Sequence, residues 1–266
     1  MLFQYASDLH LEFEKNKKFI NRKPLSSKAD ILILAGDIMP FNLIDEHKDF
    51  WNYISDHYKY TYWIPGNHEY YGFDAATKQG SFQEQIRSNV VLINNDIVKV
   101  EETEFIFSTL WTNIGPVHQW TIQRRMNDFL QIKFNGNPFT VNDYNYLHKE
   151  ACVFLESALS PQNNTQQEKM TEPTQHATLK KVVITHHIPT LLNYPNKYKN
   201  DVIQEGFAVE LFDLIDQSNA ACWISGHHHF NTRPFVIGQT QMLTNQLGYI
   251  QYKEHTNFKA DLLFEV

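Results

Sequence analysis

The stretch ACWISGHHHF, Ala221–Phe230, sets the problem. An apolar run stops at Gly226, and three histidines follow at once. A histidine-rich polar turn and a metal site both fit this segment alone, since imidazole is the commonest metal ligand but solvated histidines are not rare. The rest of the chain bears on the choice. Four other short apolar runs end in a similar way. LFQYA leads into Asp8-x-His10, DILILA into Gly36-Asp37, YTYWI into Gly66-Asn67-His68-Glu69, and KVVIT into His186-His187. Runs of this length, rich in β-branched and aromatic residues, read as strands buried on both faces of a layered α/β fold. In open α/β sheets, ligands gather beyond the carboxyl ends of strands, where loops from separate strands converge. Taken singly, each of these signals is an ordinary turn or cap. Five strand-like runs, each followed by metal-capable side chains, imply one site assembled from all of them.

The elements between these runs set the architecture. FNLIDEHKDFWNYISDHY (41–58) has apolar residues at helical spacing. TVNDYNYLHKEACVFLESAL (140–159) does so more clearly: Tyr144, Leu147, Ala151, Phe154 and Ala158 share a face, and Thr140 with Asp143 resembles a capping box. A third helix is expected over FAVELFDLIDQS (207–218). VVLIN, IVKV, EFIFSTLW, QMLTN and ADLLFEV read as further strands, so the fold is mixed rather than a plain βαβ repeat. A sandwich of two sheets flanked by helices accommodates this count. Residues 160–178 are polar and of low complexity, and read as a mobile surface insertion within a single domain spanning 1–266.

Composition narrows the function. With 42% apolar and 20% charged residues the chain is globular, and 266 residues are enough to bury a sizeable core. A net charge of -7 argues against a broad basic face for duplex nucleic acid or an anionic membrane, but not against a local phosphate site. The two cysteines, Cys152 and Cys222, form no CxxC pair; Cys222 lies inside an apolar run and reads as a buried, reduced thiol. The N-terminus has no basic region and Asp8 interrupts its apolar stretch, so no signal peptide is expected. No apolar run approaches the ~20 residues of a membrane-spanning helix. A cytoplasmic protein without an obligate protein partner is the expectation.

In order along the chain, Asp8-x-His10, Gly36-Asp37, Gly66-Asn67-His68-Glu69, His186 and Gly226-His227-x-His229 resemble the motif series of the calcineurin-like metallophosphoesterases. The resemblance implies an α/β fold of four layers, an α/β/β/α sandwich of two mixed sheets flanked by helices, with a two-metal centre at one edge. It implies that Asp8, His10 and His229 hold one transition metal ion and Asn67, His186 and His227 the other, with Asp37 bridging. A bridging ligand needs two oxygens facing two cations, which a carboxylate offers. Mixed nitrogen and oxygen ligation suits Mn, Fe or Zn. The implied reaction is in-line attack of a metal-bound hydroxide on a phosphomonoester or phosphodiester. His68 would act on the leaving-group oxygen, with Glu69 or another carboxylate orienting it. Glu69 as an exposed turn residue stands level with that role.

His187 and His228 are the surplus members of their runs and are expected behind the ligands or in solvent. The run Gly36-Asp37-Ile38-Met39-Pro40 lacks the second aspartate and arginine clamps of the family's protein Ser/Thr phosphatases, which argues against a protein substrate. Gly66–Phe73, Thr109–Asn113 and Thr244–Tyr249 look instead like a bacterial or phage-type branch of small phosphohydrolases. A small phosphorylated substrate is expected, with nucleotides and short nucleic acids among the candidates. A nuclease, a cyclic-nucleotide phosphodiesterase and an inactive metal-binding interaction protein are the alternatives. Residues 111–139 carry Arg124, Arg125 and several aromatics, and are a candidate lid over the metals as well as a candidate surface loop. Arg233 is a further candidate for phosphate contact.

Overall fold

Strands buried on both faces need a partner layer on each side, and the chain supplies two sheets that share one core. The structure, a computed structural model, describes residues 1–26, 28–160, 179–192, 194, 195, 198, 199 and 201–266. Nearly all of the polar segment 160–178 lies outside these residues. In chain order the strands are β1 (Leu2–Ala6), β2 (Ile31–Ala35), β3 (Tyr60–Ile64), β4 (Phe82–Arg87), β5 (Val90–Asn94), β6 (Asp96–Val100) and β7 (Thr103–Ser108). There follow β8 (Lys133–Phe134), β9 (Asn137–Pro138), β10 (Lys180–Thr185), β11 (Cys222–Ile224), β12 (Phe235–Ile237), β13 (Thr240–Leu243) and β14 (Leu263–Glu265).

The first sheet runs β14-β1-β2-β3-β5-β4 and the second β12-β13-β11-β10-β7-β6; β8 and β9 form a separate hairpin. The two large sheets follow the same plan. Four parallel strands form each centre, and an antiparallel strand closes each edge. Alternation along each strand divides the apolar side chains between faces. Phe3, Tyr5, Ile31, Ile33 and Ile64 of the first sheet meet Phe105, Phe107, Val182, Ile184 and Ile224 of the second in a shared core. The outward residues Leu32, Leu34 and Trp63 pack under α1 (Glu14–Arg22) and α2 (Lys48–His57) through Ile20, Trp51 and Ile54. Continuing along the chain come α3 (Gln119–Arg125), α4 (Asp128–Gln131), α5 (Val141–Leu159) and α6 (Phe212–Ser218). The last two cover the second sheet, where Leu155, Ala158 and Ile215 meet Ile106, Val183 and Trp223. This is the four-layer α/β/β/α arrangement.

Local chemistry explains where the elements start and stop. At the head of α5, the Asp143 N–H donates to Thr140 Oγ1 at 3.3 Å and the Thr140 N–H donates to Asp143 Oδ2 at 2.9 Å, a reciprocal cap worth about 1 kcal/mol. Two expectations need correction. EFIFSTLW is strand only as far as Ser108, because Leu110 and Trp111 adopt left-handed backbone angles (φ 71° and 49°) that turn the chain away. Residues 207–211 are not helical. The Ile188 N–H donates to the Phe207 carbonyl and the Val209 N–H to the Ile188 carbonyl, so this stretch runs extended beside Ile188 and α6 begins only at Phe212. β4 carries little apolar signal because it is an edge strand with exposed or half-buried faces.

Candidate metal centre

The parallel strands of both sheets end at the same edge, and the loops that follow them converge there. β1 delivers Asp8 and His10, β2 delivers Asp37, and β3 delivers Asn67 and His68. From the second sheet, β10 delivers His186 and β11 delivers His227 and His229. The turns are tight and strained. Asp8, His10, Asp37, His227 and His229 all have positive φ, between 47° and 78°. A non-glycine residue there costs roughly 1–2 kcal/mol, and such outliers cluster at functional sites. Gly36 and Gly66 permit the close approach of these turns. A methyl group on Gly66 would collide with Asp37 Oδ1 and the His186 ring, and one on Gly36 with that same ring.

Besides His10, Glu12 and His68, which also lie within reach of one another, the donor atoms form two groups that share Asp37. Asp8, His10, Asp37 and His229 form one, and Asp37, His186 and His227 form the other. In the first, His10 Nε2 lies 2.9 Å from His229 Nε2 and 3.6 Å from Asp37 Oδ2, while His229 Nε2 lies 3.4 Å from Asp8 Oδ1. In the second, His186 Nε2 lies 3.2 Å from His227 Nδ1, 3.3 Å from Asp37 Oδ1 and 3.3 Å from Asn67 Oδ1. Asp37 therefore turns one oxygen toward each group. Two ligand atoms about 2.0–2.1 Å from one cation, at angles of about 90–110°, sit about 2.9–3.4 Å apart. Most of these spacings match, so the donor set fits two transition metal ions.

Groups behind the donors fix how the rings point. His186 Nδ1 faces the Ala35 carbonyl at 2.9 Å, His229 Nδ1 faces Glu254 at 2.8 Å and His10 Nδ1 faces Glu12 at 3.1 Å. A carbonyl or carboxylate can only accept, so each Nδ1 carries a proton and each Nε2 is turned into the cluster. His227 is turned the other way, with Nδ1 inward. Asp8 accepts from Ser7 Oγ at 2.5 Å and from the His227 N–H at 3.0 Å. Burial opposes charge on Asp37, but the imidazoles of His186, His68 and His10 hold its carboxyl well below the usual range. Burial opposes charge on His186 and His229 as well. Asp37 and Asp8 nonetheless push His186 up to about 9, and Asp8 with Glu254 push His229 up to about 10.

His68 stands beside the first group, stacked on Tyr71 with ring centroids 4.1 Å apart. Its backbone N–H donates to Asp37 Oδ1 at 2.9 Å. Its Nδ1 lies 2.9 Å from Glu12 Oε1, and its Nε2 lies 3.3 Å from the Tyr249 hydroxyl. Glu12 is therefore the carboxylate that orients His68, and it serves His10 as well. Although buried, it is held down to about 2 by those two imidazoles.

Glu69 has neither of the roles expected of it. It is fully buried and accepts from the backbone N–H groups of Asp37 (2.9 Å), Ile38 (2.6 Å), Met39 (3.3 Å) and Gly66 (2.6 Å), and from Trp63 Nε1 (3.2 Å). Five N–H donors occupy its lone pairs, so it pins the loop after β2 to the loop after β3. His187 lies behind the cluster with Nδ1 3.1 Å from the Thr109 carbonyl, and burial pushes its pKa down to about 3. His228 contacts Gln246, and burial brings it to about 4.

A cavity of about 320 Å3 opens onto the cluster, bordered by His68, Tyr71, Arg125, Asp128, Tyr194 and Tyr249 among others. Of the three arginines considered, only Arg125 reaches it, and both its terminal nitrogens are committed to Asp201 at 2.9 and 3.2 Å. Arg124 lies over the exposed Trp120 ring, and Arg233 lines a separate groove with Phe230 and Phe264. No helix among the described residues is long and apolar enough to cross a membrane.

The family model for the calcineurin-like phosphoesterases matches residues 3–231. The chain belongs to that family. This phosphoesterase is thus a metal-dependent hydrolase of phosphate esters, and family membership implies a dinuclear divalent metal centre. It is 29% identical to an uncharacterized protein of Acanthamoeba polyphaga mimivirus, over 96% of this chain and 94% of that one. Its fold is similar to that of the phosphopantetheinyl hydrolase of Mycobacterium tuberculosis, with a TM-score of 0.67 and 17% identity over 99% of this chain and 95% of the other.

Proposed function

We propose that the phosphoesterase hydrolyses small phosphodiesters at a two-metal site. Asp8, His10 and His229 hold one ion, Asn67, His186 and His227 hold the other, and Asp37 bridges them. The observation that carries this reading is the charge around the cavity. Its carboxylates, Asp37, Asp128, Asp201 and Glu254, outnumber its one arginine, and that arginine is already paired. Its other cationic groups, the His68 and His229 imidazoles, already face Glu12, Asp8 and Glu254; the donor groups facing Asp37 are where compensating cations would be held. When bound, two divalent ions supply the positive charge and water activation that phosphoryl transfer requires.

The chain's own residues do the rest. Glu12 accepts from His68 Nδ1–H and leaves Nε2 facing the cavity. Burial disfavours its charged form, but Asp37 and Glu12 raise the His68 pKa, which favours an imidazolium able to give its Nε2 proton to a leaving alkoxide. The Tyr249 hydroxyl, 3.3 Å from Nε2, marks the position of a hydrogen-bonding oxygen there.

Diesters are favoured over monoesters because, among the described residues, no unpaired arginine or lysine lines the cavity to meet the extra charge of a monoester. The test is hydrolysis of bis-p-nitrophenyl phosphate against p-nitrophenyl phosphate by Mn-reconstituted protein, with Asp37→Asn as the blank. The expected result is a diester preference that falls by about 10³-fold or more in the variant. Equal hydrolysis by Asp37→Asn overturns the bridging role, and a monoester preference overturns the substrate class.

A further inference from the structure

Asp128 is a buried carboxylate that the mechanism does not use. It opens α4 within segment 111–139, is 3% exposed, and lines the cavity together with Asn67, His68 and Tyr71. Its Oδ1 is buried and has no hydrogen-bond partner among the described residues. Burial pushes its carboxyl up, against the pull of the His68 imidazole and the Asn67 amide. The other carboxylates of the cavity wall are engaged: Asp37 with the histidines of the cluster, Asp201 with Arg125, and Glu254 with His229. Burying a carboxylate oxygen without a donor is costly, and departures of this kind concentrate at sites that meet a ligand.

We propose that Asp128 is the specificity-determining residue of this cavity, selecting phosphoesters that carry a cationic N–H donor, an ammonium group, a few bonds from phosphorus. The proposal rests on the phosphoesterase reading of the adjoining site. Distance sets the length of the substrate arm. Asp128 contacts the Asn67 amide, whose Oδ1 belongs to the metal-ligating group, so the donor sits about one side-chain length from the phosphate. Charge sets the kind of donor, because a hydrogen bond with both partners ionised is roughly twice as strong as a neutral one. The complementary substrate is therefore dipolar, with its phosphate toward the proposed metal pair and its ammonium on Asp128. The aromatic walls, Tyr71, Tyr194 and Phe207, suit the carbon chain between or beyond them. The competing role for Asp128 is solely to hold the Asn67 amide in orientation.

The test compares isosteric ligands that differ only in the donor. The p-nitrophenyl esters of 2-aminoethyl phosphate and propyl phosphate serve for turnover, and 2-aminoethyl phosphate and propyl phosphate for calorimetric binding to the metal-loaded protein. The expected result is a preference of about tenfold or more for the amine in both kcat/KM and Kd, collapsing to within about twofold in Asp128→Asn. Each ratio is taken on one preparation, so lost metal or partial unfolding cancels; Asp128→Ser replaces the Asn variant if that variant does not fold. Equal use of the two ligands by the unaltered protein overturns the proposal. So does a preference that survives in the variant while both ligands weaken equally, which is the signature of a role through Asn67 alone. Absence of turnover with either ester contradicts the diesterase reading, and the binding ratio still decides the role of Asp128.

Discussion

The two sheets bring different chemistry to their common edge. The first contributes Asp8, Asp37 and Asn67 with a single imidazole donor, His10, whereas the second contributes only the imidazoles of His186, His227 and His229. Each of the two donor groups that share Asp37 draws on both sheets, so any cation held there ties together two layers that otherwise meet through apolar packing. The supporting groups differ in the same way. The first sheet's loops are fixed by the buried side chains of Glu12 and Glu69, while two further histidines of the second sheet's loops, His187 and His228, are kept neutral by burial. Carboxylates are thus concentrated on one side of the site, and imidazoles on the other.

The sharpest way to break this arrangement is to spoil the approach of the two sides. Gly66→Ala places a methyl group against both Asp37 of the first sheet and His186 of the second. It should lower phosphodiester hydrolysis by about 100-fold or more and stability by about 2–4 kcal/mol, read from turnover and denaturant unfolding. A variant with ordinary activity would mean that the two sides need not meet so closely.

A smaller effect isolates the first sheet's carboxylates. Glu12→Gln keeps the size of the side chain but removes the charge facing His68. Turnover should fall about 10–100-fold for esters with poor leaving groups and much less for p-nitrophenyl esters, because only the former need a proton from His68. An equal loss across a leaving-group series would assign Glu12 to His10 alone.

The smallest effect concerns the second sheet's neutral histidines. His187 and His228 titrate near 3 and 4 in the folded protein, against about 6.5 in an unfolded chain. Between pH 6.5 and 4 the unfolded state binds more protons, so their contribution is full above pH 6.5 and is lost as pH falls. Each histidine contributes a slope of about 1.4 kcal/mol per pH unit. His187→Gln should make acid destabilisation in that window shallower by about that amount, measured by unfolding at stepped pH. An unchanged slope would show that His187 is not held neutral.

How legible each part was in the sequence follows from its distance along the chain from a strand. Asp8, His10, Asp37, Asn67, His186, His227 and His229 lie within a few residues of a buried run, so their meeting at one edge follows from strand direction alone. Glu12 lies only two residues beyond His10, but nothing in an ordinary Leu-Glu pair marks it as the partner of His68. Glu254, Tyr249 and Asp128 reach the site from short helical turns and a loop whose path depends on tertiary packing. Glu69 is the instructive case. Local chemistry makes it a turn residue, yet four backbone N–H groups and an indole converge on it because two loops from neighbouring strands cross there.

The central claim is that ligands from both sheets hold two ions with Asp37 between them. Anomalous diffraction from crystals of the Mn-reconstituted protein tests it most directly. The expected result is two peaks about 3.5–4 Å apart on either side of Asp37, one against Asp8, His10 and His229 and the other against Asn67, His186 and His227. A single peak, or a pair with all its ligands on one sheet, would contradict the account.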